Sequence, residues 1–251
     1  ELLGQPLFHR QGRSVALTDA GQDLLETTQQ VLLQLAVGIQ RLEQYRKPNQ
    51  LVLNTSTAIA RLWLLPRLAD LHRQHPGIDL WLFTSDDTPN MAEQTIDISL
   101  RWGLAPQAEC RHQPLLADRL LPVASPAVLA QPVQERTTLH GEREMDWHHW
   151  TLKGGDDLHL QTQGLNFSDP GLLQDAASAG LGVALASELL SRDARRQGWL
   201  LPLSSHRVAG PNWNMLIHQE SEGSPQCRAV SQWLQQQFAA EAATRDQDAT
   251  L

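Results

Sequence analysis

Cysteine occurs only twice in this chain of 251 residues, as Cys110 and Cys227. Their separation matches no metal-ligand or redox spacing, and a reducing intracellular compartment is the simplest reading, although two cysteines can pair. Long apolar runs are missing too. No stretch of about 18 apolar residues exists, so no membrane span is expected, and no signal peptide is visible. Positive charge is in short supply. The net charge of -8 excludes a chain that is a basic nucleic-acid binder as a whole. Enzyme signatures are absent as well. There is no G-x-S-x-G elbow, neither cysteine sits in a nucleophile motif, and "GLGV" at 180–183 lacks the G-x-G-x-x-G context of a dinucleotide site. Ten histidines invite a metal, and His140, His148, His149 and His159 are the densest group. Yet His148 and His149 are adjacent and would diverge on a helix, and their acidic neighbours form no ligand spacing. No catalytic residue, no metal and no cofactor is expected; the chain reads as a non-enzyme.

What remains is pattern. The opening "ELLGQPLFHRQGRSVALTDAG" begins like the end of a helix, with Gly4 as its stop, and continues as two short segments separated by a turn. Thr18 is a suitable N-cap, with Asp19 favourable in the first turn. From there to Lys47 only Gly38 disfavours a helix, and Pro48 stops it. About 28 residues of helix would be about 42 Å long. Leu25, Leu32, Leu35, Ile39 and Leu42 fall at three-four spacing, the pattern of a dimerisation seam. A helix packed on its own domain would show the same stripe.

After Pro48 strands alternate with helices. "LVLNTSTAIARLWLLPRLADLHRQHPGIDLWLFTSD" predicts a strand from Leu51, a polar turn at 54–57, a helix with Leu62, Leu65, Leu68 and Leu71 inward and Pro66 kinking or dividing it, and a strand over 78–83. "IDISLRWG" predicts a third strand. Later come a strand through 119–124, one near 159–169, a helix from Pro170, a buried strand at "GLGVALASELL", strands at "GWLLPL" and "WNMLIHQ", and a terminal amphipathic helix over 227–240. The alternation implies a parallel, helix-covered sheet in two lobes with a cleft between them. Ligands of such folds bind beyond the carboxyl ends of the strands.

These pieces resemble the LysR-type transcriptional regulators. Leu3-Gly4, Leu7-Phe8, Arg10, Leu17-Thr18 and Gly21 match the end of that family's winged helix-turn-helix and the start of its linker helix. "WLLPRLADLHRQHPGIDL", "IDISLRWG" and "AASAGLGVAL" match its effector domain, in the family's order. Trp63-Leu64, the "TSDD" loop and "DWHHW" resemble the glycine-cleavage and D-serine-deaminase activator subgroup. The resemblance implies an α/β fold: a wing remnant over 1–17, lacking most of the helix-turn-helix; a linker and dimerisation helix over 18–48; a two-lobed periplasmic-binding-protein-like (type 2) effector domain over 49–240, with lobe I at 49–121 and 222–240 and lobe II at 122–221; and a mobile tail over 241–251. It further implies a cytoplasmic bacterial regulator, forming a homodimer or tetramer, with promoter DNA and a small effector as partners. A periplasmic-type solute-binding protein is the alternative, but that would show a secretion signal and no wing.

Candidate site residues follow. His9, Arg10 and Arg13 lie at a hairpin tip where basic side chains can meet phosphates. Thr55, Ser56 and Thr57 sit where a strand turns into a helix, with hydroxyls and free N–H groups suited to a carboxylate, though plain N-capping uses the same residues. Thr84 follows the next strand in the same relation. Arg101 ends the third strand, near where the lobes meet. Ser168 and Asp169 open a helix on the facing lobe, where Asp169 could meet an ammonium or simply favour the helix N-terminus. An arginine opposite a carboxylate suits a zwitterion, so a small carboxylate or amino acid is the expected effector.

Overall fold

The computed structural model describes residues 4–11, 14–44, 49–91, 95–103, 106–142 and 145–248. The chain divides into two compact units, residues 1–48 with 92–95, and residues 49–91 with 96–251.

In the first unit, strands β1 (Phe8–Gln11) and β2 (Ser14–Leu17) form an antiparallel hairpin that pairs Phe8 with Leu17 and Gln11 with Ser14. Helix α1 (Asp19–Gln44) follows. Thr18 caps it: its hydroxyl accepts from the Gly21 N–H at 3.0 Å and donates to the Pro6 carbonyl at 2.7 Å. Position 21 must be glycine, because a Cβ there would come within 2.0 Å of the Leu7 carbonyl oxygen. Leu32, Leu35 and Ile39 are 56–59% exposed, a bare apolar stripe along the helix. The side chains of Arg10 and Leu42 and all of residues 1–3, 13 and 45–48 lie outside the described residues, and with them the expected helix end at the start of the chain and the stop at Pro48.

The second unit begins with β3 (Gln50–Thr55), α2 (Thr57–Ile59), α3 (Leu68–Gln74), β4 (Asp79–Thr84), β5 (Ile98–Trp102), the long β6 (Cys110–Ala124) and α4 (Pro126–Leu129). Then come β7 (Thr138–Gly141), α5 (Trp147–Leu152), β8 (Gly164–Phe167), α6 (Pro170–Ser178), β9 (Val183–Ser187) and α7 (Arg192–Arg196). The chain closes with β10 (Leu201–Pro202), β11 (Val208–His218), α8 (Gln219–Glu222) and α9 (Pro225–Asp248). The strands run β4-β3-β5-β11-β6-β9-β7-β8, with β10 on β6. Two parallel groups, β4-β3-β5 and β9-β7-β8, are joined through β6 and β11, which pair antiparallel with each other and with their neighbours. The sheet is therefore mixed rather than wholly parallel. Crossing twice between lobes requires strands of opposite sense.

Each lobe has its own core. The first packs Leu51, Leu53, Ile98 and Leu100 under α9 around an aromatic knot, with Trp63 4.4 Å from Phe238 and Phe238 5.5 Å from Trp213. The second packs Leu121, Leu139, Leu173, Leu185 and Val208. Trp213, Met215 and Ile217 belong to the first core, so the boundary read at residue 221 is corrected: β11 leaves the second lobe at about its midpoint.

Two further corrections concern helices. Between α2 and α3 the backbone passes through a π-helical turn at 60–64 and a 3-10 turn at 65–67. Pro66 has no N–H to donate, and the changed hydrogen-bond spacing rotates the inward face onto Trp63, Leu64 and Leu71. Leu65, expected inward, is exposed. The terminal helix also runs on through residue 248. Glu241 is buried and bridges Arg67 at 2.6 Å and Arg192, so 241–248 is no loose tail. Its charge is what holds it, and polarity had argued the opposite.

Candidate functional site

Both parallel groups end at one place. The register aligns Thr55 with Thr84 and with Leu100, so β3, β4 and β5 finish side by side. Gly141 of β7 pairs with Phe167 of β8 in the same way on the second lobe. Between these carboxyl ends lies a cleft of about 380 Å³. Ser56, Asp86 with Asp87, and Arg101 with Trp102 enter it from the three strand ends of the first lobe; Glu142 and Phe167–Pro170 enter from the second. That is the position a strand-helix fold reserves for ligands.

Arg101 dominates the chemistry. It alternates with Ser99 along β5, on the face that meets Asn54 of β3. Asn54 Oδ1 accepts from Ser99 Oγ at 3.1 Å, from Arg101 Nε at 3.3 Å and from Arg101 Nη2 at 2.8 Å, while Asn54 Nδ2 donates to the Phe83 carbonyl at 3.2 Å. The guanidinium is thus aimed by a buried amide. Arg101 is only 6% exposed, yet no described carboxylate lies within ion-pair distance of it. Burial pushes it below its ordinary value, and the charges of Asp86 and Asp87 pull it back up. A buried cation with no direct ion pair among the described residues is costly, and an anion entering the cleft would relieve that cost.

The helix starts behave differently. Ser56 lines the cleft but caps α2, its hydroxyl accepting from the Ile59 N–H at 3.3 Å. Asp169 lines the facing wall and caps α6, accepting from the Leu172 N–H at 2.7 Å. Ser168 lines the cleft and is exposed. Gly171 lets α6 approach α2: a Cβ there would stand 2.8 Å from Arg61 Nη2 and 3.2 Å from the Ala58 Cβ.

Three expected contacts are corrected. The Thr55 hydroxyl is buried and donates to the Leu100 carbonyl at 2.7 Å, so the sheet consumes it. Thr57 is outside the lining, and its N–H is taken by Asp86 Oδ1 at 3.3 Å. Thr84 ends the edge strand, exposed and outside the lining. Sequence reasoning missed Asp87, Trp102, Glu142 and Met145 as lining residues. The paired aspartates after β4 were the available signal for Asp87; Glu142 follows β7, a strand too short and polar to be read.

Other expected sites are placed more simply. His9 is exposed on the hairpin, while Arg13 falls outside the described residues. His149 Nε2 lies 3.0 Å from the Ala209 carbonyl and His148 is exposed. Among the described residues no group of three or more His, Cys, Asp or Glu could hold a metal ion. Burial pushes the Cys227 thiol up to about 12.

Two α/β lobes closing on a cleft at their strand ends define a periplasmic-binding-protein-like effector-binding domain. The family model for the LysR substrate binding domain matches residues 46–239, and the chain belongs to the LysR family of transcriptional regulators. It is 28% identical to the glycine cleavage system transcriptional activator of Escherichia coli (strain K12), over 96% of this chain and 82% of that protein. With the HTH-type transcriptional regulator DsdC of the same organism it shares 27% identity, over 94% and 81%. The effector domain of the regulator AmpR of Pseudomonas aeruginosa superposes with a TM-score of 0.66 at 25% identity, covering 78% of this chain and 98% of that one. CrgA of Neisseria meningitidis has the same fold, with a TM-score of 0.60 at 20% identity, over 94% and 85%. These relatives are regulators, which disfavours the solute-binding alternative. No described helix is long and apolar enough to cross a membrane.

Proposed function

We propose that this chain senses a small amino acid in the inter-lobe cleft and passes the bound state to promoter DNA through a homo-oligomer. The observation that carries the reading is Arg101: a guanidinium held by Asn54, buried and without a carboxylate partner in a cleft of ligand size. The effector carboxylate sits on Arg101, and its ammonium faces Asp169 across the cleft, with Asp86 beside Arg101 on the same lobe. The bare stripe of α1 supports pairing with a second copy, since about two turns of exposed leucine and isoleucine is a poor solvent face. His9, Arg10 and Arg13 are assigned to phosphate contacts beside the DNA-reading elements. A regulator acting on promoter DNA would work in the cytoplasm.

Calorimetry of the chain against a panel of amino acids and simple carboxylates tests the reading. Arg101→Met should weaken any ligand that binds by at least tenfold, the loss expected of a charge-assisted hydrogen bond of roughly 1.5–3 kcal/mol. A ligand bound equally well by wild type and Arg101→Met would place the effector elsewhere.

A further inference from the structure

The cleft carries more negative charge than a neutral zwitterion can use. Asp86 and Asp87 line it from the first lobe, Glu142 and Asp169 from the second, against one guanidinium among the described lining residues, that of Arg101. Two of these carboxylates already serve the backbone, Asp86 through the Thr57 N–H and Asp169 through the Leu172 N–H. The side chains of Asp87 and Glu142 have no hydrogen bond or ion pair with any described residue. They stand on opposite lobes, after β4 and after β7.

An acidic rim alone would mean little, because exposed carboxylates are content in water. Arg101 makes the difference. It is nine-tenths buried at the cleft wall, and its Nη1 has no described partner. The site therefore offers one buried anion receptor and, beyond it, two carboxylates without a direct partner among the described residues, of which Asp87 also feels the charge of Arg101. Ile59, Met145 and Phe167 also line the cleft and supply apolar surface.

We propose that the effector is a dibasic amino acid, with its carboxylate on Arg101, its methylene stem along Ile59, Met145 and Phe167, and its side-chain cation between Asp87 and Glu142. The proposal rests on the amino-acid reading above and narrows it. A cation shared by carboxylates from both lobes also gives the ligand a reason to prefer the closed arrangement, since opening separates Asp87 from Glu142. An acidic amino acid would meet repulsion at the same two positions.

Titration calorimetry of the 251-residue chain with lysine, ornithine, norleucine and glutamate, in both enantiomers and at low salt, tests it. Norleucine keeps the shape of lysine and removes the second cation. Lysine or ornithine should bind at least tenfold more tightly than norleucine, and glutamate should not bind. Asp87→Asn with Glu142→Gln should abolish the preference while leaving the melting temperature in place, because both side chains are exposed. Norleucine binding as tightly as lysine, or a preference that survives the double variant, overturns the dibasic assignment and leaves the amino-acid reading standing. If none of the four binds, or if Arg101→Met changes nothing, the cleft reading itself falls and this inference with it.

Discussion

Arg61 Nη1 and Asp175 Oδ2 lie 2.6 Å apart, and they belong to different lobes. Arg61 rises from the π-helical turn after α2, and Asp175 sits on α6. Both are close to half exposed, so the pair adds little to stability, at most about 1 kcal/mol. Its position matters more than its strength, because only an arrangement with α2 against α6 can make it. Asp175→Asn should leave the unfolding midpoint nearly unchanged and weaken the effector a few-fold. Calorimetry beside a thermal melt separates the two; a large melting shift with unchanged affinity would make the pair merely structural.

Gly171 permits the same approach. A Cβ at this position would meet Arg61 and Ala58, and Gly171→Val adds two further methyl groups. That variant should hold the lobes apart, with about tenfold or greater loss of effector affinity. Solution scattering should show a larger radius of gyration with effector present. Identical scattering from wild type and variant would refute the wedge.

The stripe of α1 predicts assembly. Leu32→Asp with Ile39→Asp should lower the sedimenting mass of the chain by half or more, because charged groups on facing helices cannot be buried together. An unchanged mass would assign oligomerisation to another surface.

Glu241 predicts a structural role for the end of the chain. It is 7% exposed and neutralises both Arg67 and Arg192. Glu241→Ala leaves Arg67 only its longer ion pair with Asp193 at 3.4 Å and takes one carboxylate from Arg192, and should destabilise the domain by about 3 kcal/mol in urea unfolding. A change under about 0.5 kcal/mol would return residue 241 to the status of a surface tail.

Asp118 carries a pH prediction. It is buried at the crossing of β6, accepting from Ser187 and from Trp213 Nε1 at 3.0 Å, and burial raises its carboxyl to about 6. Above about pH 6 both folded and unfolded states are ionised, and the folded state bears the burial penalty. Below about pH 4 both are protonated and the penalty vanishes. The contribution of Asp118 to stability should therefore fall by about 3 kcal/mol as pH rises from about 4 to about 6. Subtracting the urea-unfolding profile of Asp118→Asn isolates that slope from other carboxylates. A pH-independent difference would mean that the fold leaves the Asp118 carboxyl at its unfolded value.

Local pattern made much of the architecture legible. Thr18 as a cap, the strand through 51–53, the strand ending at Gly103 and the helix from Pro170 all follow from propensity and punctuation, because each depends on its nearest neighbours in the chain. The first half of β6 was not legible. Cys110–Asp118 is polar and contains Pro114, features that argue against a central strand, and it forms because β11 pairs with it from about a hundred residues away. The short β7 escaped for the same reason: Thr138–Gly141 is held as strand by β8 and β9 on either side.

The amino-acid sequence by itself determined most of the strand and helix order, the cap of α1, its apolar stripe and the ordered motifs of the LysR family, since all of these are written in spacing along the chain. Tertiary structure alone decided which polar groups remain for a ligand. Thr55, Ser56 and Thr57 look equivalent as a run of hydroxyls, yet the sheet takes one, the helix cap another, and the third lies outside the cleft. Arg101 looks like any strand-end arginine until Asn54 holds it buried with no direct ion pair among the described residues, and Glu142 shares a cleft with Asp87 only because two lobes close on it. A hydrogen bond is spent where the fold brings donor to acceptor, and that pairing depends on distances that spacing along the chain does not contain.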